Sequence, residues 1–516
     1  MRSLLLLVVL AAPLQAQTLG ETDFPNSGAP EAQAPFLRGL LLLHSFEYDE
    51  ARDAFREAQR LDPDFAMAYW GEAMTHNHPI WMEQDRAAAL EVLARLAPTP
   101  EAQLARAPTE REKDYLRALH VLYGDGDKEG RDDAYAEATA ALAARYPDDL
   151  DAAAFHALAI LGTAHEGRDF STYMRAAAVA EAVFDRNPRH PGAAHYLIHA
   201  YDDPVHAPLG LRPARAYAEI APDASHALHM PSHIYVALGM WDEAAEMNRR
   251  SFEAARAATE RRAEPLNGHG WHALYWLNYV ELQRGRYAEA RGLLDRAAGF
   301  VEAAASPRAK VNFLAMLASY LVETEDWDLD VGRYEVTHEG LGSGTATRML
   351  YTSGQAALAQ GEVAVAEAAL EALLTRIADN PEPGETATAL ALEALILQAK
   401  GETEAALAKV AEAATVEDAM PLDFGPPFPV KPVHELWGEM LLDLGRAEEA
   451  QVQFERALER APRRARSLLG LARSAEVAGD MEKAFEVWAE LDAVWFRADA
   501  DVRDVVVERP VIWDDR

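Results

Sequence analysis

The chain has 516 residues, half of them hydrophobic, with 49 Lys and Arg against 84 Asp and Glu and a formal charge of −35. Such an acidic surface repels phosphate backbones and anionic lipid, so nucleic acid is excluded as an expected partner. Cysteine is absent, which excludes disulfides, thiolate metal ligands and a cysteine nucleophile, and leaves packing to hold the fold.

The first sixteen residues, MRSLLLLVVLAAPLQA, combine one positive charge, an apolar run and small residues before a cut expected after Ala16. Residues 1–16 therefore predict a signal peptide and a periplasmic or secreted bacterial protein. The run is too short to span a bilayer and no later segment is longer, so no membrane insertion is expected once it is removed. Residues 17–34 are polar, carry Pro and Gly, lack a period and predict a lead-in segment. A helical array is expected over 35–495, and 496–516 form a tail whose VVV and PVIW runs are strand-like.

Within the array, PFLRGLLLLHSFEYDEARDAFREAQRLDPDFAMAYWG sets Gly39, Ala51, Phe55, Ala58 and Pro63 at the offsets of a helix-turn-helix unit. Near the C-terminus Gly438, Leu441, Ala450, Phe454, Ala457 and Pro462 repeat those offsets. Both stretches resemble the tetratricopeptide repeat (TPR), whose period is about thirty-four residues. Weaker copies open near Ala66, Thr109, Leu150, Pro191, Ser225, Trp271, Val311, Thr347, Ala387, Lys431 and Ala465. The resemblance implies an all-α, right-handed superhelical solenoid of about twelve TPR-like helical hairpins. It also implies a concave face built from the first helix of each unit, with a protein or peptide ligand in that groove. The stretches HYLIHAYDDP and HMPSHIY, beginning at His195 and His229, are similar to those of secreted bacterial TPR proteins with no assigned activity.

Three segments break the period: His78-Pro79-Ile80-Trp81, a lengthened turn from Asp202 to Arg212, and the proline-rich MPLDFGPPFPVKP from Met420 to Pro432. Loops that interrupt a solenoid often cover a binding surface.

Nine of the seventeen histidines fall between His190 and His272. His195 and His199 are four apart, as are His229 and His233, so each pair shares one helix face. In the TPR register both pairs, with His226 and His272, occupy positions that line the concave groove in neighbouring units. Imidazoles from two packed helices can converge on one ion, and neutral imidazole suits zinc or copper. The predicted metal site is therefore His195, His199, His229 and His233, completed from His226, His206 and His272. Asp202, Asp203, Glu72, His78, His165 and Glu166 are the candidates for a supporting shell. His44, His120, His156, His338 and His434 are single and are expected to be satisfied or solvated side chains.

Catalysis is not specified by these residues. The peptidase pattern H-E-x-x-H fails, because Tyr196 and Met230 stand where its glutamate would. GLGSGT from Gly340 lacks the lysine of a phosphate loop and predicts an inter-helix connection. Three functions follow: a binding protein with a His-rich metal site, a metal-free interaction scaffold, or a metal-dependent hydrolase or oxidoreductase.

Overall fold

The structure is a computed structural model that describes residues 17–304, 306–422 and 425–507. The signal-like segment and the PVIW run lie outside the described residues. Helices alternate in antiparallel pairs, beginning with Pro30–His44 and Tyr48–Leu61 and ending with Ala465–Ala478 and Met481–Val494. The packing that forces this geometry is visible in two copies. A methyl group on Gly71 would stand 2.3 Å from the Phe55 ring, and one on Gly470 would stand 2.2 Å from the Phe454 ring. Each phenylalanine of a second helix thus presses between two first helices whose glycines let the backbones approach.

Local differences from the sequence expectation have physical causes. The first helix starts at Pro30, inside the expected lead-in, because proline suits the first helical position and Glu31 complements the helix dipole. The rest of the lead-in is pinned: Thr22 donates to Asp151 at 2.6 Å, Thr18 N–H donates to Asp223 at 2.7 Å, and Leu19 and Phe24 are buried. The lengthened turn is shorter than expected, since helix resumes at Ala207 and runs through Arg212 to Ile220. Pro231 divides its unit's first helix into Ser225–His229 and Pro231–Ala237, joined through a helical Met230. After Pro307–Thr324 no second α-helix forms. Glu325 turns left-handed (φ 55°), the WDLD run has no helical period, and only a 3-10 turn at Val331–Tyr334 follows. The VVV run is helical rather than strand-like: Ala500–Val507 is a helix, with Val502 and Val506 four apart and buried. Asp499, whose carboxylate accepts from Ala288 N–H at 2.7 Å, anchors it to an earlier unit.

The superhelix is wound tightly enough that distant units touch. The Pro30–His44 helix packs against Pro191–Ala200, and the last units fold back on the middle of the chain. There Arg464, fully buried, pairs with Glu323 at 2.6 Å and Glu435 at 2.7 Å and donates to the Tyr279 hydroxyl at 3.1 Å. Trp241 donates to the Arg463 carbonyl at 2.9 Å, and Trp495 to that of Gln283 at 3.1 Å. No helix of the described residues is long and apolar enough to cross a membrane.

Candidate metal centre

Helical periodicity places His195 and His199 on one face of Pro191–Ala200, with their Nε2 atoms 3.1 Å apart. In the next unit His229 and His233, one on each side of the Pro231 break, bring their Nε2 atoms to 2.9 Å. His226 joins the first pair and His272, from Gly268–Gln283, joins the second. Each trio has one ligand atom per residue, all within 4.8 Å of one another. The trios adjoin: the His199 and His233 rings are 5.7 Å apart, and those of His226 and His229 are 6.0 Å apart.

Hydrogen bonds on the outer nitrogens fix which atoms face inward. His195 Nδ1 lies 2.7 Å from the His44 carbonyl, which can only accept, so that nitrogen carries the proton and Nε2 presents a lone pair. His233 Nδ1 donates to the Asp202 carboxylate at 2.5 Å. His229 Nδ1 donates at 2.7 Å to Asn248 Oδ1, whose amide is oriented by its own donation to Ala244 O at 2.8 Å. With Nδ1 of each ring engaged outward, the Nε2 atoms of His229 and His233 are turned toward each other. Ligands about 2.0–2.1 Å from a tetrahedral metal stand about 3.3 Å apart, close to the 2.9 and 3.1 Å seen here. Both nitrogens of His226 are buried without a partner. Burial, reinforced by the neighbouring histidines, pushes His195 and His272 down to about 3 and His199, His226 and His229 well below the ordinary histidine value. Imidazoles so held are neutral, the form that binds metal.

The turn His44-Ser45-Phe46-Glu47, from the first unit, organises the chamber from more than a hundred residues away. His44 supplies the carbonyl to His195. Phe46, held left-handed at φ 56°, lays its ring 4.2 Å from that of His195 and 5.7 Å from that of His226. Its carbonyl accepts from His269 Nε2 at 3.1 Å. Glu47 accepts from the Ser225 hydroxyl at 2.7 Å and from His226 N–H at 2.9 Å, fixing the start of the helix that carries His226 and His229. A left-handed bulky residue costs energy that the surrounding contacts must repay, and such strain concentrates at functional sites.

Two of the interrupting segments cover the trios. His78-Pro79-Ile80-Trp81 lies in a small β-hairpin pairing Asn77–His78 with Glu83–Gln84, which brings Trp81 to 6.2 Å from the His226 ring. The proline-rich loop presses Gly425 onto Trp276, where a methyl group would stand 2.4 Å from the indole. Trp276 in turn lies 4.4 Å from the His233 ring and 4.9 Å from that of His229. A cleft from solvent is lined by Tyr48, Trp81, His226, His269, His272 and Arg308, so it meets one ligand of each trio.

The other residues singled out in the sequence fall elsewhere. His206 does not join either trio; it pairs with Asp203 at 2.9 Å and stacks edge-on against Phe170. Asp203 also holds Arg168 at 2.8 Å. Glu72 is paired with Arg56 and Arg95 and accepts a hydrogen bond from Gln59. His78 stacks on Tyr48 with ring centres 4.0 Å apart, at the cleft rim. His165 pairs with Asp133 at 3.1 Å, and Glu166 is exposed. His44 is satisfied, as expected: its ring bridges the Tyr196 hydroxyl at 2.9 Å and Asp151 at 2.8 Å. His44, Asp151 and His190 form a third buried cluster, within which His44 Nε2 meets Asp151 directly. Burial works to raise Asp151, but His190, 3.5 Å away, and the hydrogen bond with His44 outweigh it and hold the carboxyl well below its usual range. Sequence reasoning missed Phe46, Glu47, Asn248 and His269. Of these only His269 carried a signal, as a further histidine beside His272.

Residues 36–65 and 436–498 match tetratricopeptide repeat families. The chain is a tetratricopeptide repeat protein, and an all-α solenoid. Repeats of this kind commonly bind proteins, which suggests an interaction scaffold. Among curated proteins none matches it in sequence. Similar solved structures include a human IFIT1 dimer with PPP-AAAA (14% identity, 90% of this chain and 91% of that one, TM-score 0.39). Two more are the APC/C hetero-tetramer Cut9-Hcn1 (12% identity, 94% and 77%, TM-score 0.33) and yeast Tom70 (14%, 94% and 97%, TM-score 0.29). These overlaps are loose, and the fold assignment rests on the chain's own helices and its two repeat matches.

Proposed function

We propose that this repeat protein binds metal, its histidine chamber holding zinc or copper, and that its first sixteen residues direct it for export. The observation that carries the reading is the facing pair His229 and His233, with Nε2 atoms 2.9 Å apart while Asn248 and Asp202 occupy both Nδ1 atoms. Two ring nitrogens at that distance share either a proton or a metal ion. A proton would serve two nitrogens, whereas the third nitrogen, from His272, converges as a metal requires. Outer hydrogen bonds to a carboxylate, an amide and a backbone carbonyl are the supports that ligating histidines ordinarily have. A metal-free scaffold has no use for this arrangement and would leave the nitrogens of His226 buried without a partner.

The test is metal content by mass spectrometry on protein purified without an affinity tag, beside a His199→Ala/His233→Ala double variant. Near-stoichiometric zinc or copper, lost in the variant, is the expected result. A wild type that arrives metal-free and takes up none of the added metal overturns the reading.

A further inference from the structure

We propose that the two histidine trios together form a coupled copper pair that binds dioxygen at the head of the Trp81 cleft. The inference rests on the metal-binding reading and adds to it the number of ions, their identity and their ligand. His195, His199 and His226 would hold one ion and His229, His233 and His272 the other, each trio converging separately. Ring separations of 5.7 and 6.0 Å across the two trios leave the ions near enough to share a small bridging molecule.

The donor set selects the metal. All six converging donors are imidazoles, and the carboxylates beside them are engaged elsewhere: Asp202 with His233 Nδ1, and Glu47 with the Ser225 hydroxyl and His226 N–H. Paired divalent ions repel four times as strongly as paired monovalent ions at the same distance. Hydrolytic pairs of zinc or magnesium, and non-haem iron pairs, draw on carboxylates to offset that repulsion. With no carboxylate in either trio, the resting pair is best served by ions of low charge, and copper(I) is the monovalent ion that imidazole binds well.

Three nitrogens leave each copper an open position, and the cleft supplies access to both. His226 from one trio and His272 from the other line its inner end, so a small molecule entering there meets both ions from the same side. Phe46 packs its ring against His195 and Trp276 packs its own against His233, and both limit water. The step is balanced: each copper(I) gives one electron and becomes copper(II). Dioxygen accepts the two electrons into its π* orbitals, its double bond becomes a single bond, and the resulting peroxide bridges the ions. No proton or further reductant is required. The bridging dianion also offsets the charge that oxidation adds, which the neutral ligands cannot do.

The full chain, stripped of metal, would be titrated with copper(I) without oxygen, its copper counted, and then exposed to air. The expected result is a pair of coppers per chain, an intense near-ultraviolet peroxide-to-copper band on aeration, and no electron paramagnetic resonance signal, because the two copper(II) spins couple. In His199→Gln or His272→Gln the bound copper should halve, the band should vanish, and the remaining copper(II) should give a resonance signal. Paired coppers that oxidise to two independent resonance signals with no such band overturn the inference while leaving the metal-binding reading intact. Uptake of one copper per wild-type chain overturns the pairing. Failure to take up copper, zinc or any added metal overturns both.

Discussion

Asp202 and Asp203 are neighbours in sequence, buried alike, and bound to different histidines, which makes them a sensitive probe of the chamber. Asp202 accepts from His233 Nδ1 at 2.5 Å, whereas Asp203 holds His206 and Arg168 and touches no trio. Replacing Asp202 by Asn keeps the size and an accepting oxygen but removes the charge that makes His233 a stronger ligand. Loss of such a partner usually lowers metal affinity by about 10–100-fold, or about 1.4–2.7 kcal/mol. The Asp203→Asn variant should break its ion pair with Arg168 and lower stability while leaving metal affinity within about twofold, since it reaches no ligand. Competition against a chromophoric chelator, with each variant's melting temperature recorded, separates affinity from stability. Equal affinity losses in both variants, or a loss confined to Asp203→Asn, would refute the assignment of His233 as a ligand.

Other expectations follow from the packing and charge. Gly470→Ala, whose methyl would stand 2.2 Å from the Phe454 ring, should destabilise the last units by about 1–3 kcal/mol in urea unfolding. Glu47→Ala removes the acceptor for Ser225 and for His226 N–H; it should lower stability by about 1.5–3 kcal/mol and weaken copper or zinc binding together. Burial favours the neutral form of Glu435, but the Arg464 charge and its hydrogen bonds, with Lys431, prevail and hold the carboxyl well below the usual range. Its stabilising effect should be complete above the unfolded value of about 4.3 and fade as pH falls below it, so acid denaturation of Glu435→Gln should be shallower over that limb. Added metal should raise the melting temperature of stripped protein, and excess chelator should reverse the rise.

What could be read in the sequence was what neighbouring residues decide. Gly39, Phe55 and Pro63 announce a hairpin because a glycine, the ring that fills its gap and the residue that ends the helix lie within one unit. His195 with His199, and His229 with His233, declare a shared helix face for the same reason. Long-range geometry was hidden. Nothing in HSFE at 44–47 marks a turn that reaches His195, Ser225 and His269, because those contacts depend on the pitch of the whole superhelix. His206 is close in sequence to the trios, yet the carboxylate three residues before it captures the ring. The single histidine His44 was correctly expected to be satisfied, although its carbonyl is what fixes the tautomer of His195. The strand-like VVV became helix because Asp499 is tied to an earlier unit, a constraint invisible along the chain.

Repeat arrays ordinarily behave as chains of nearest neighbours, so that end units can fray without consequence for the middle. Here both ends are fastened to the centre: the lead-in through Asp223 and Asp151, and the last units through Arg464, Trp241 and Trp495. Amide exchange across the chain should therefore show one slow cooperative block spanning sequence-distant units, instead of protection that decays smoothly toward each terminus. The His44–Glu47 turn that roofs the histidines belongs to the first unit, so loosening the N-terminal end should open the chamber, and under the proposed metal-binding role ion release should follow the loss of a contact that the rest of the array cannot replace.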